Sequence, residues 1–292
     1  MTKCVDFVKL HGAGNDFVFI EDLDDDLEIS PEQTIRLCDR HFGVGADGVI
    51  VVKPAQDPDN AGFMHYINSD GTLAQMCGNG VRCFAKYLVD FGIVEKNTPL
   101  LNVETRAGVK TISYTTDERG KLVQATVDMG APILNPADVP TKLAFNAMTE
   151  AGEAFVKDAE LESPFGTFAF TCVSMGNPHA VTFVDNCDEV DVERIGAYFE
   201  SCEAFPEKAN IEFATVGEEG IRMRVYERGC GETLACGTGA CATGVAAYLT
   251  RRSGRENDLV LLGGTLHISY APGSTVMMTG PAAESFRGTV EL

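Results

Sequence analysis

Met76-Cys77-Gly78-Asn79-Gly80-Val81-Arg82-Cys83-Phe84-Ala85 and Ala235-Cys236-Gly237-Thr238-Gly239-Ala240-Cys241-Ala242 are two copies of one phrase. Each reads C-G-x-G and runs on into an apolar, helix-like stretch. The copies keep company at matched spacing. Nine residues before Cys77 the alternating run Phe63-Met64-His65-Tyr66-Ile67 ends at Asn68, and nine before Cys236 the run Ile221-Arg222-Met223-Arg224-Val225-Tyr226 ends at Glu227. Further back, Gly14-Asn15 precedes Phe17-Val18-Phe19-Ile20, and Gly176-Asn177 precedes Ala180-Val181-Thr182-Phe183-Val184. The offset between halves is 162 residues for the asparagines and 159 for the other two landmarks. Self-similarity at nearly constant offset is the signature of a duplication.

Local pattern fills in the two halves. Period-2 alternation with β-branched residues predicts strands around 5–10, 17–20, 63–67, 122–128, 181–184, 221–226 and 274–279. The glycine turns are followed by helices over 81–91 and 240–252, with Gly92 and Gly254 where a helix C-terminal glycine belongs. Pro31 opens another helix to Arg40, and a further one is expected near 192–199. Strands outnumber helices and no G-x-G-x-x-G follows a strand, which argues against a Rossmann alternation and against nucleotide binding. The fold class expected is α+β, as two homologous domains: residues 1–121, with the terminal strand 282–292 returning to it, and residues 122–281.

Composition bounds the function. Hydrophobic residues at 45% and charged residues at 23% of 292 positions exclude wholesale disorder. Lys+Arg 23 against Asp+Glu 43 gives a net charge of −20, which repels phosphate backbones and anionic lipid, so neither nucleic acid nor a membrane surface is an expected partner. The local run Glu21-Asp22-Leu23-Asp24-Asp25-Asp26-Leu27-Glu28 reads as a solvated loop. The N-terminus lacks a signal-peptide pattern and no apolar run reaches 18 residues, so a cytoplasmic setting is expected. There the ten cysteines are reduced thiols, and with no C-x-x-C pair no metal is called for.

A thiol at a helix start meets unpaired backbone N–H groups and about half a positive charge, which favour the thiolate. The same N–H groups, bared by glycine, can hold a carboxylate. A single C-G-x-G cysteine is ordinarily structural; a duplicated pair at matched spacing points to chemistry. Similar halves commonly meet face to face, so Cys77 and Cys236 are expected on opposite sides of one cleft. One as thiolate removes a proton from a carbon and the other as thiol returns one to the far face, the requirement of a two-base racemase or epimerase. Cys83 and Cys241, one to two turns inside, read as core.

Four motifs then carry a family: Lys9-Leu10-His11-Gly12-Ala13-Gly14-Asn15-Asp16-Phe17, Gln75 to Cys83, Ser174-Met175-Gly176-Asn177-Pro178-His179, and Tyr226 to Ala240. In this order the chain resembles diaminopimelate epimerase. The resemblance implies a cofactor-independent enzyme interconverting LL- and meso-diaminopimelate, in lysine and peptidoglycan synthesis. It implies two similar domains, each a sheet curled around a central helix. By the same resemblance Cys77 and Cys236 are the catalytic thiols, and His179 and Glu227 assist. Substrate contacts fall on Asn15, Asn68, Gly78, Asn79, Asn177, Asn210, Glu227, Arg228, Gly237 and Thr238. Asparagine suits both ammonium and carboxylate, and Arg228 suits a carboxylate clamp. Each has a plainer reading too: an asparagine after glycine as a turn residue, His179 as a cap or core residue, and Glu227 with Arg228 as an exposed pair. One departure stands out, because some relatives carry glutamine where this chain has Gly48.

Rival readings remain open at this stage. Proline-type racemases resemble the chain in their paired cysteine turns but carry histidine at the position of Asn79, and the phenazine-biosynthesis isomerases lack the cysteine pair. A redox sensor would use Cys77 and Cys236 as a switchable disulfide, and a binding module would keep the turns without turnover. A homodimer rests on base rate and family alone.

Overall fold

The computed structural model describes residues 3–95 and 98–292. The chain divides into two compact units: the described residues of Met1–Val127 together with Thr279–Leu292, and Asp128–Met278.

The first unit runs β1 (Cys4–Gly12), β2 (Asn15–Glu21), α1 (Pro31–Cys38), β3 (Gly48–Lys53), β4 (Gly62–Asn68), α2 (Gly78–Asp90), β5 (Leu100–Thr105), β6 (Gly108–Thr116) and β7 (Leu122–Asp128). β2 lies antiparallel to β1 and parallel to β3, β3 is antiparallel to β4, β4 is parallel to β5, and β5, β6 and β7 form a meander. Phe17-Val18-Phe19-Ile20 in β2 is buried throughout because both faces of the strand are covered. Val18, Ile20, Val49 and Val51 pack with Leu37 and Cys38 of α1, while on the other face Phe19 stacks on Tyr87 of α2. Removing a side chain such as Phe17 or Leu88 from water stabilises the unit by about 2 kcal/mol each. α2 packs against β1 to β5, so the sheet curls around it.

The second unit repeats that order. Two short strands, β8 (Ala147–Met148) and β9 (Ala154–Phe155), form a separate hairpin. β10 (Ala159–Ser163), β11 (Gly166–Ser174), β12 (Pro178–Phe183), α3 (Val192–Glu200), β13 (Asn210–Gly217), β14 (Gly220–Glu227), β15 (Gly231–Glu232), α4 (Gly237–Leu249), β16 (Glu256–Leu261) and β17 (Gly264–Tyr270) follow. β11 is antiparallel to β12, β12 parallel to β13, β13 antiparallel to β14, β14 parallel to β16, and β16 antiparallel to β17. These five pairings repeat, in order, those from β1–β2 to β5–β6 of the first unit. One sheet face packs Phe170, Cys172, Ala180, Ile211 and Phe213 against Val192, Ile195 and Phe199 of α3. The other encloses α4, whose Ala- and Gly-rich surface lets β17 approach: a Cβ on Gly244 would sit 2.9 Å from Ile268. β18 (Val276–Pro281) and β19 (Ala283–Glu291) complete the chain, β19 lying antiparallel to β1.

The expected α+β class with a sheet curled around a central helix is therefore what the chain adopts. Three details differ from expectation. Both central helices begin at the glycine turn, three residues early, because Cys77 and Cys236 are themselves the extended N-cap residues. β7 pairs with β6 and so lies with the first unit, a few residues beyond the expected division at Lys121. Gly254 does not end α4. The helix stops at Leu249, Thr250 donates its hydroxyl to the Ala246 carbonyl, and Arg251 takes the left-handed turn with φ of 62°. Gly92 does end α2 with φ of 71°. Within the acidic run Asp22 is buried, its Oδ1 accepting from the backbone N–H of Asp26 and Leu27 while Lys53 pairs with it, so this residue clasps a turn; Leu27 packs in the core and the other acidic residues of the run face solvent.

Candidate active site

In the first unit, Ala13 and Gly14 both have positive φ (50° and 83°), as the tightest two-residue hairpin turn requires. That turn sets Asn15 opposite Gly12 at the head of β2. The Asn15 amide is oriented from both ends. Its Nδ2 donates to Asp47 Oδ2 at 2.6 Å, and its Oδ1 accepts from Asn79 Nδ2 at 3.2 Å and from the Cys77 thiol at 3.5 Å. Asp47 is fixed in turn by Arg40, which also bonds Asp16, and Asp16 pairs with Lys9 at 2.7 Å. Burial would raise the Asp16 carboxyl, but the bonds from Arg40 and Lys9 win and hold it below the usual aspartate range.

Cys77 is half-buried at the cap of α2, where its Sγ accepts from the Gly80 N–H. Asn79 is buried, and its Oδ1 accepts from Arg82 at 2.7 Å. Arg82 is fully buried, donating also to the carbonyls of Gly78 and Pro281. Gly12 is what lets it pass, since a Cβ there would lie 3.0 Å from the guanidinium. Asn68 ends β4 in a turn closed by its Nδ2 bond to Thr72. Opposite it, Gly48 admits no side chain at all: a Cβ would meet the Tyr66 ring at 2.5 Å and the Ile67 carbonyl at 2.7 Å.

In the second unit the equivalent hairpin has three residues, with Gly176 at φ 95°, and presents Asn177. His179 and Asn210 face each other across parallel strands, and Glu212 lies two residues on along the same sheet face. His179 and Glu212 are both fully buried. His179 Nδ1 is 2.6 Å from Glu212 Oε1, and Nε2 is 3.0 Å from Asn177 Oδ1. The Asn210 amide spans from the Pro178 carbonyl to the Arg228 N–H, and the exposed Arg228 guanidinium bonds the Glu207 carbonyl. Glu227 accepts from the Thr233 hydroxyl. Buried Glu200 accepts from the Gly229 N–H and pairs with Lys208, which anchors the 227–230 turn.

Cys236 caps α4, 3.5 Å from the Thr238 hydroxyl. Here the expectation of an acidic thiol is corrected. Burial, and then the neighbouring Glu227 and Glu212 carboxyl groups, push the Cys236 thiol well above its ordinary value, outweighing the helix terminus and the Thr238 hydroxyl. Cys83, inside α2, is fully buried and pushed up to about 12 by that burial.

Hydrogen bonds join Asn15 with Cys77 and Asn79 in the first half, and Asn177 with His179, Asn210 with Arg228 and Cys236 with Thr238 in the second, where Glu227 also acts on Cys236; Asn68 is bonded within its own turn. Reading the sequence missed the residues that hold them, namely Asp16, Arg40 and Asp47 behind Asn15, Arg82 behind Asn79, and Glu212 behind His179. One signal was available: Asn210-Ile211-Glu212-Phe213 places a carboxylate at a buried position of an apolar strand.

Comparison with known proteins identifies the family and the fold. The family profile described as diaminopimelate epimerase matches residues 7–134 and 171–284. The diaminopimelate epimerase of Leptospira biflexa is 43% identical over 99% of this chain and 99% of its own length, and that of Synechocystis is 46% identical over 98% and 99%. Among solved structures, a phenazine biosynthesis protein of the PhzF family from Bacillus anthracis superposes with a TM-score of 0.70 at 17% identity, covering 99% of this chain and 100% of that one. A probable proline racemase from Agrobacterium radiobacter K84 gives 0.68 at 15%, covering 99% and 93%; these two share the fold. No helix among the described residues is long and apolar enough to cross a membrane. The chain belongs to the diaminopimelate epimerase family, isomerases acting on amino acids.

Proposed function

We propose that this protein interconverts LL- and meso-2,6-diaminopimelate without a cofactor, by two thiols acting on opposite faces of the α-carbon, and so serves lysine and peptidoglycan-precursor synthesis in the cytoplasm. The observation that carries the reading is the repetition, in a member of this family, of one catalytic unit: a cysteine capping a central helix, beside an asparagine presented by a glycine hairpin.

In this mechanism the substrate carboxylate sits on the backbone N–H groups of Gly78, Asn79, Gly237 and Thr238, where two helix N-termini stabilise the charge that builds as the α-proton leaves. Cys236 rests as the thiol, held so first by burial and then by the Glu227 carboxylate. It is the acid for the direction in which Cys77 acts as base; in reverse the two exchange roles. His179 and Glu227 adjust the charge around the thiols. Asn15, Asn68, Asn177 and Asn210 sort the ammonium and carboxylate groups, and Arg228 takes the remote carboxylate. With no room for a side chain at Gly48, that end of the substrate is read without the glutamine found in some relatives.

The test is α-proton exchange in deuterated water under reducing conditions with no added cofactor. LL- and meso-diaminopimelate are compared with proline, histidine and lysine, for the wild type, Cys77→Ala and Cys236→Ala. Exchange and inversion confined to diaminopimelate, with inversion lost in both variants, is the expected result. Exchange on another amino acid alone would overturn the substrate, and no exchange on any of them would overturn the reaction.

A further inference from the structure

Glu212 has no place in the mechanism above, yet it is fully buried in an otherwise apolar strand, 2.6 Å from the His179 ring. The helix is built around it. A Cβ on Gly239 would lie 2.7 Å from Glu212 Oε1, so the glycine in the first turn of α4 is the vacancy that the carboxyl fills. Its second oxygen, Oε2, has no hydrogen-bond partner among the described residues.

The protons of this cluster can be counted from its geometry. Asn177 Oδ1 can only accept, so His179 Nε2, 3.0 Å away, carries a hydrogen. One further hydrogen lies between Nδ1 and Glu212 Oε1. The two side chains therefore hold two protons, as imidazole with carboxylic acid or as imidazolium with carboxylate, and either way their summed charge is zero. The alternative, an ionised carboxylate accepting from Nδ1–H with Nε2 bare, would set the Nε2 lone pair against Asn177 Oδ1. It would also bury a net negative charge with one oxygen unpartnered. Facing the pair are the Glu227 carboxylate from β14, which opposes that charge too, and the uncharged thiol of Cys236 at the α4 cap. Burial accordingly raises the Glu212 carboxyl, Glu227 adds to the rise, and His179 opposes it.

We propose that Glu212 is a positioning residue that acts through His179: it keeps a proton on Nε2 and lends its own proton to Nδ1 when negative charge arrives at the site. In that step the Glu212 O–H bond breaks and the His179 Nδ1–H bond forms, leaving carboxylate and imidazolium; the reverse step restores both. Two consequences follow for the ligand. Asn177 spends Oδ1 on His179, so its Nδ2 is the edge offered outward, and it selects an acceptor such as a carboxylate. His179 is an electrostatic donor to that charge and takes no proton from a thiol at Nε2.

The protonation claim stands on the resting protein, whereas its kinetic consequence rests on the epimerase reading. Both are tested with the full, reduced chain labelled with 15N-histidine. His179 is picked out among the five histidines by its loss in His179→Gln. In the wild type, without ligand, the spectrum is expected to show hydrogen on Nε2, the nitrogen that faces Asn177 Oδ1. Glu212→Gln can still donate to Nδ1 but has no proton to give. It is expected to keep the Nε2–H signal and lose about 10²-fold in kcat with little change in KM, the scale of one assisted proton transfer. A wild-type spectrum with hydrogen on Nδ1 and a bare Nε2 overturns the proposal, and so does Glu212→Gln with wild-type kcat. Failure of the wild type to turn over any amino acid would instead overturn the functional reading and leave the spectrum to decide the protonation.

Discussion

The duplication supplies its own control for a packing experiment. Gly80 and Gly239 occupy the same position, three residues after the capping cysteine, in the two central helices. Alanine at either site gains about 0.4–1 kcal/mol by restricting the unfolded chain. What the new methyl meets differs. At Gly80 the nearest atom is Ile50 Cδ1 at 3.1 Å, the far end of a side chain that can give by a few tenths of an ångström. At Gly239 it is Glu212 Oε1 at 2.7 Å, with Cys236 Cβ and Sγ at 3.3 Å. That carboxyl is locked against His179 and has nowhere to retreat. Overpacking of this kind costs about 1–3 kcal/mol. Net, Gly80→Ala is expected within about 0.5 kcal/mol of wild type, and Gly239→Ala destabilised by about 1–2 kcal/mol. Urea unfolding followed by circular dichroism reads the midpoints, and α-proton exchange reads function. Gly239→Ala is expected to lose activity well beyond its loss of stability, because it displaces Glu212 and with it His179. Equal midpoints and equal activities for the two variants would refute the claim that Glu212 is held rigidly beneath α4.

Two further outcomes follow from the electrostatics. Cys236 is buried and shifted towards the thiol, so peptide-resolved mass spectrometry after iodoacetamide at pH 7.5 is expected to show it alkylated slowly, and Glu227→Gln to speed the reaction by removing a charge that raises it; an unchanged rate would remove Glu227 from the site's electrostatics. Asp16 is held below the usual aspartate value of 3.8 by Arg40 and Lys9. A depressed carboxyl contributes stability that is complete above its unfolded value and is lost as pH falls through the folded one. Stability measured from pH 6 downwards is therefore expected to fall below about pH 4, and less steeply in Asp16→Asn; identical slopes would contradict the assignment.

The repeat, the α+β class, the four motifs and the capping cysteines were all legible in the chain, because each is a local pattern: alternation, a glycine turn, a fixed spacing. Even the early helix starts follow from local chemistry once the cysteine is taken as the cap. What could not be read locally is what stands behind each ligand-facing residue. Asp47 lies 32 residues from the Asn15 it orients, Glu212 lies 33 from His179, and Pro281 accepts from Arg82 across 199. The same limit explains Cys236. A helix N-terminus lowers a thiol when water can still reach it, and that much is sequence. Whether water reaches it, and which carboxyls share the space, depends on how the sheet closes around α4. The sequence by itself determined which groups the chain offers and on which turns. Only the tertiary structure decided their protonation and orientation, because desolvation and hydrogen-bond partners are properties of residues brought together from distant parts of the chain.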